Sequence, residues 1–151
     1  MNEPEQKREP FSTVLMVEDD GDDRFFMEEA FKAVHCEGEL RFLGDGEELM
    51  EYLQHRRRFK DAESSPRPSL ILLDLNIPKK DGRQVLVEIK ADPDLRKIPV
   101  VVWTTSDLRE DETMCLEAGA DGYITKPNNY VDLEKAVEWL CTRWLHKSPP
   151  Q

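Results

Sequence analysis

Short apolar runs recur along this chain, and most of them stop abruptly at a polar group. Val14-Leu15-Met16-Val17 runs into Glu18-Asp19-Asp20, and Leu70-Ile71-Leu72-Leu73 into Asp74. Val100-Val101-Val102-Trp103 ends on Thr104-Thr105-Ser106, and Gly122-Tyr123-Ile124-Thr125 on Lys126-Pro127. With Leu40-Arg41-Phe42-Leu43 these make five strand-like segments. Helical patterns fill the intervals. Phe26, Met27, Ala30, Phe31 and Val34 share one face of a 3.6-residue period, behind Asp22 or Asp23 as the cap. Leu49, Met50 and Leu53 point inward from a second helix opened by Gly44-Asp45-Gly46. Val85, Leu86 and Ile89 set a third, which follows a loop bracketed by Pro78 and Gly82 and ends near Asp92-Pro93. A fourth helix covers roughly 108–118, and the last carries Leu133, Val137, Leu140 and Trp144 along one stripe.

Strict alternation of strands and helices predicts an α/β fold with a parallel sheet. Residues 59–68 are polar with two prolines and should form an exposed connection, long for such a unit. Residues 1–11 read as a disordered lead-in, 12–146 as one domain and 147–151 as a tail, with no internal repeat. In an open parallel sheet ligands bind outside the carboxyl ends of the strands. The polar groups at those ends are therefore the candidate site.

The chemistry of those groups is specific. Glu18 and Asp19 are adjacent anions that repel unless a cation neutralises them, and hard oxygen ligands suit Mg²⁺; a helix-capping acidic turn is the plainer reading. Asp74 closes an apolar strand, where a carboxylate is costly unless paired or ligated, and an aspartate nucleophile can become an acyl phosphate. The Lys126 ammonium could pair with Asp74 and later with phosphoryl oxygens. The bond to Pro127 is a candidate for the cis form. Thr104 offers a hydroxyl to a phosphoryl oxygen.

Composition narrows the function classes. The net charge of −11 over 151 residues argues against nucleic acid as a direct partner. No apolar run approaches the roughly 18–20 residues of a membrane span, and the polar start is not a secretory signal, so a cytoplasmic protein is expected. Arg56-Arg57-Arg58 with Lys60 reads as a solvated helix end, or as a docking patch for an acidic partner. Cys36, Cys115 and Cys141 show no metal or redox spacing and are expected to be reduced, partly buried thiols.

Taken in order, these residues resemble the receiver domains of two-component response regulators. The resemblance spans 12–144 and rests on Glu18-Asp19, Asp74 within Asp-Leu-Asn-Ile-Pro, Thr104, and the run from Gly119 through Ala120, Asp121, Gly122, Tyr123, Ile124 and Thr125 to Lys126-Pro127. The stretch 75–83, continuing to Ile98-Pro99-Val100, looks most like the stand-alone regulators of cyanobacterial and bacterial phytochromes. The resemblance implies a doubly wound, flavodoxin-like five-stranded sheet of order 2-1-3-4-5. It implies Asp74 as phosphoacceptor from a sensor histidine kinase, possibly a phytochrome. Mg²⁺ would be bound by Asp19, Asp74 and the backbone carbonyl of Asn76 with help from Glu18. Thr104 and Lys126 would hold phosphoryl oxygens, Tyr123 would follow Thr104 as the switch aromatic, and Asn76 and Ser106 would tune the acyl-phosphate lifetime. Catalysis would extend no further than self-catalysed phosphoryl transfer and autodephosphorylation. Three positions depart from the family's usual pattern: Glu18 in place of Asp, Trp103 before Thr104, and Asn128 after Pro127.

Competing readings are a Mg²⁺ phosphatase of haloacid-dehalogenase type, a nucleotide-binding domain and an inactive receiver scaffold. The first lacks its second acid, because Asn76 stands two residues past Asp74. The second lacks both glycine-rich fingerprints. The full acidic set with Thr104 and Lys126 argues against the third. With the receiver filling the chain, output is expected through contacts with a downstream protein. A homodimer through the fourth helix, fifth strand and last helix is one form of contact. Trp139, off the inward stripe, would serve that interface or pack under a neighbouring loop.

Overall fold

Each strand of the computed structural model, which describes residues 12–145, ends where the sequence turns polar. The order is β1 (Thr13–Val17), α1 (Gly21–Ala33), β2 (Glu39–Leu43), α2 (Gly46–Leu53), β3 (Leu70–Leu73), α3 (Gly82–Ala91), β4 (Val100–Thr104), α4 (Arg109–Glu117), β5 (Gly122–Thr125) and α5 (Tyr130–Trp144). Short 3₁₀ turns at Arg57–Phe59 and Leu95–Lys97 precede β3 and β4. All strand pairs are parallel, in the order β2-β1-β3-β4-β5. The expected lead-in 1–11 and tail 147–151, with residue 146, lie outside the described residues.

The central strands β1, β3 and β4 are buried along their whole length, as helices on both faces of a parallel sheet require. Alternation sorts their side chains into two cores. Leu15, Val17, Ile71, Leu73, Val100 and Val102 pack with α2, α3 and Cys115 of α4. Val14, Met16, Leu70, Leu72, Val101 and Trp103 pack with Met27, Ala30 and Phe31 of α1 and Val137, Leu140 and Cys141 of α5. The strand order reverses between β1 and β3, so their carboxyl ends open the crevice where such folds bind ligands.

The helix ends refine the sequence reading. Asp20, two or three residues earlier than expected, caps α1: its Oδ1 accepts the N–H groups of Asp22 and Asp23 at 2.8 and 3.1 Å. Asp22 and Asp23 then occupy the first turn, where their charge suits the helix dipole. Phe26, expected inward, is 47% exposed, because the buried stripe centres on Met27, Ala30, Phe31 and Val34. Gly119, at φ 109°, ends α4 with N–H bonds from Gly119 to Leu116 and from Ala120 to Cys115. The 59–68 connection is mostly exposed, but Phe59, Ser65 and Pro68 tuck in, and the Tyr52 hydroxyl donates to the Pro66 carbonyl at 2.8 Å. In the basic cluster Arg57 pairs with Glu51 and Arg58 with Glu48 on the solvated side of α2.

Two expectations are corrected. No described peptide bond is cis, so Lys126–Pro127 is trans; the Lys126 N–H continues the sheet by donating to the Thr104 carbonyl at 2.7 Å. Cys36 and Cys141 are joined in a disulfide, with Cα atoms 5.9 Å apart, instead of being free thiols. Packing of α1 against α5 brings together residues 105 positions apart, a pairing no local spacing encodes. Cys115 alone is free; burial, with the charge of Asp111 adding, pushes its thiol up to about 11. Alkylating the folded, unreduced protein at neutral pH should therefore give no adduct by intact mass, with Cys36 and Cys141 labelled only after reduction. Reduction should lower the thermal midpoint, the bond stabilising by roughly 2–5 kcal/mol. Adducts at Cys36 and Cys141 without reductant would contradict the bond.

Candidate functional site

Four strand ends deliver the polar groups to one region. Glu18 follows β1 and is 8% exposed. Its backbone N–H donates to Leu43 at 2.9 Å, and its carbonyl accepts Arg24 Nε at 2.6 Å. Asp74 follows β3, Thr104 ends β4 and is fully buried, and Lys126 follows β5. The Lys126 ammonium lies 2.8 Å from Asp74 Oδ2 and 3.3 Å from Glu18 Oε1. Each carboxylate turns its other oxygen to its own loop: Asp20 N–H donates to Glu18 Oε2 at 3.2 Å and Asn76 N–H to Asp74 Oδ1 at 3.1 Å. Burial raises the Glu18 carboxyl above its ordinary value even though Lys126 and the Asp20 N–H oppose it. Burial also works against the Lys126 charge, but the hydrogen bond and charge of Asp74, aided by Glu18, outweigh it and raise the ammonium's pKa. A cation thus sits shielded between two acids at the β1–β3 crevice, and Asp19 stands beside them, exposed.

The hydroxyl-bearing groups meet at Ser106 instead of at Asp74. Ser106 N–H donates to Thr104 Oγ1 at 3.3 Å, and the Tyr123 hydroxyl donates to the Ser106 carbonyl at 3.0 Å. The residues expected to move together are therefore linked through the β4–α4 loop. Sequence reading missed how that loop is held: the Ser106 hydroxyl donates to Asp111, and Arg83 grips the same carboxylate. Twenty-eight residues separate Arg83 from Asp111, and nothing in the pattern marks them. Asn128 is exposed, and Asn129 takes over the start of α5, its Oδ1 accepting Asp132 N–H at 2.9 Å. Trp103 is buried and helps line a cavity of about 350 Å³ beside Glu18 and Lys126, with Phe26, Met27, Tyr130 and Leu133.

Residues 14–138 match the response regulator receiver domain family. The chain belongs to it. The receiver is 46% identical over 136 residues to response regulator Rcp1 of Synechocystis sp., covering 90% of each chain. Among solved structures, the Mn²⁺-bound form of Rcp1 matches with a TM-score of 0.80 at 44% identity, over 93% of this chain and 99% of that one. The phosphorylated cyanobacterial phytochrome response regulator RcpA matches with a TM-score of 0.81 at 39% identity, over 89% and 94%. Neither the haloacid-dehalogenase-type phosphatase nor the inactive scaffold is favoured. Receivers are signalling domains that work with sensor histidine kinases. Among the described residues no helix of this receiver is long and apolar enough to cross a membrane.

The donor chemistry around Asp74 suits a hard divalent cation: the carboxylates of Glu18, Asp19 and Asp74 and the carbonyl of Asn76 all offer oxygen atoms. Among the described residues no three His, Cys, Asp or Glu side chains stand together as a closed cluster. Lys126 pairs there with one oxygen of Glu18 and one of Asp74.

Proposed function

We propose that Asp74 accepts a phosphoryl group from a phosphohistidine of a sensor kinase. An Asp74 carboxylate oxygen attacks phosphorus, the histidine nitrogen–phosphorus bond breaks, and an acyl phosphate remains. The observation that carries this reading is the shielded Lys126 ammonium 2.8 Å from Asp74 at the mouth of the β1–β3 crevice. Phosphoryl transfer depends on positioning and charge neutralisation more than on covalent help from the protein, and Lys126 supplies a fixed positive charge for phosphoryl oxygens. Glu18, Asp19, Asp74 and the Asn76 carbonyl would hold a divalent ion, Mg²⁺ in our reading, which when bound neutralises those oxygens further. Similarity to a regulator described with a phytochrome supports a phytochrome-type kinase. Incubating the protein with acetyl phosphate, with and without Mg²⁺, and reading intact mass tests the chemistry: a Mg²⁺-dependent gain of one phosphoryl group is expected, and no gain in either condition defeats it.

Output in this reading is a contact with a downstream protein or with a second copy. Trp139 of α5 is 42% exposed, with its inner part against Trp144 and Arg143, so it both packs locally and offers surface. Leu116 of α4 and Val131 of α5 are exposed as well. Size-exclusion with light scattering should show a dimer that Trp139→Ala weakens, with phosphodonor present; a monomer in every condition would remove the dimer. The switch would run from Thr104 to Tyr123. Thr104→Ala should still take up phosphoryl groups while its partner affinity loses the response to phosphorylation; a full wild-type response would sink the coupling.

A further inference from the structure

Helix α4 is lightly fastened. Its only buried residue is Cys115, and its N-cap position, Leu108, provides no side-chain hydrogen bond. What fixes its first turn is Asp111. Arg83 Nε and Nη2 reach the two Asp111 oxygens at 3.1 and 3.0 Å, a two-pronged pair, with side-chain exposures of only 33% and 15%. Asp111 Oδ2 also accepts the Ser106 hydroxyl at 2.6 Å. Ser106 is the hub of the loop before α4. Besides its bonds to Thr104 and Tyr123, its hydroxyl accepts Leu108 N–H at 3.3 Å and its carbonyl accepts the Thr125 hydroxyl at 3.4 Å.

The other end of this chain of contacts is the phosphoacceptor loop. Arg83 directly follows Gly82, whose N–H donates to the Leu75 carbonyl at 3.1 Å. Gly82 lies so close to Asp74 that a Cβ there would fall 2.7 Å from Leu75 Cα. Arg83 therefore rides on the Asp74 loop, and Asp111 rides on the loop that holds Thr104. Their pairing joins a chain of contacts that runs from Asp74 through Gly82, Arg83, Asp111 and Ser106 to Thr104. Arg83 also approaches both oxygens of Asp81 at 3.4 Å, which leaves its fork pointed across to α4.

We infer that Arg83 and Asp111 are positioning residues for phosphoryl transfer at Asp74: their pairing latches the β4–α4 loop and holds Thr104 and Tyr123 on Ser106. This rests on the proposed phosphoacceptor role of Asp74. For Thr104 to follow an incoming phosphoryl group the loop must yield, and the latch resists that. A bond made only in the resting arrangement lowers the population of the reactive one. Opening it raises that population, and with it the rate at which a small donor loads Asp74.

The experiment follows the rate of mass gain with acetyl phosphate and Mg²⁺ in wild type, Arg83→Gln, Asp111→Asn and the double variant. Each single variant should load about three- to tenfold faster than wild type. The double variant should be no faster than either single one, because the two residues act through one bond. Arg83→Lys keeps the charge but loses the fork, so it should fall between wild type and Arg83→Gln; it carries the test if Arg83→Gln does not fold. A general loosening of the fold would not produce a faster reaction that saturates in this way. Wild-type or slower loading in the single variants, or additive gains in the double one, overturns the latch. Absence of loading in wild type, or loading of Asp74→Asn, instead defeats the reading of Asp74 and is distinguished at once.

Discussion

Asp74→Asn should abolish the mass gain from a phosphodonor while leaving the protein folded. The substitution keeps the shape and one carbonyl oxygen of the side chain but removes the anionic nucleophile that would form the acyl phosphate. It also removes the partner that Lys126 holds at 2.8 Å, leaving Glu18 as the remaining acid at 3.3 Å. Asp19→Ala should keep the acceptor yet lose most of the rate and its dependence on Mg²⁺, since in the proposed site Asp19 would supply oxygen ligands to the ion and nothing to the acceptor itself. Undiminished labelling of Asp74→Asn would mean the phosphoryl group goes elsewhere, and phosphopeptide mapping would then locate it.

The second large effect is expected at a residue with no chemistry of its own. A Cβ on Gly82 would press into the Asp74 carbonyl and lie 2.7 Å from Leu75 Cα, both backbone atoms that cannot swing aside. Gly82→Ala should therefore shift the Asp74 loop and destabilise the protein by roughly 3 kcal/mol, at the upper end of ordinary overpacking. Phosphoryl uptake should fall with it even below the melting range, because the acceptor and the start of α3 would both be displaced. Urea unfolding and the labelling assay together check this. A variant with wild-type stability and wild-type uptake would show that the close approach is not required.

Much of the fold was readable because the central strands β1, β3 and β4 are buried on both faces and so appear as unbroken apolar runs, and because each run stops on a polar group. The same feature exposed Glu18, Asp74, Thr104 and Lys126. What stayed hidden depends on contacts between elements. Phe26 and Met27 look equivalent in a helical period, and only the line of α1 against the sheet leaves one exposed and the other buried. Cys36 and Cys141 meet because α1 and α5 cover the same face. Arg83 is an ordinary helix-start residue until α4 sets Asp111 opposite it. The capping of α1 by Asp20 was within reach, since the residue stands directly before Gly21 in an acidic run, but Asp22 and Asp23 just beyond offered competing caps.

The strand order also has a bearing on how the molecule comes together during synthesis. β1 emerges first yet sits inside the sheet, so after pairing with β2 it keeps one apolar edge open until β3 arrives at Leu70. By then Glu18 and Asp74 are neighbours, two acids whose shared cation has not yet been made. Lys126 arrives only behind β5, the last strand and the far edge. A chain that stops short of β5 lacks both the last strand of the sheet and the ammonium that pairs with Glu18 and Asp74.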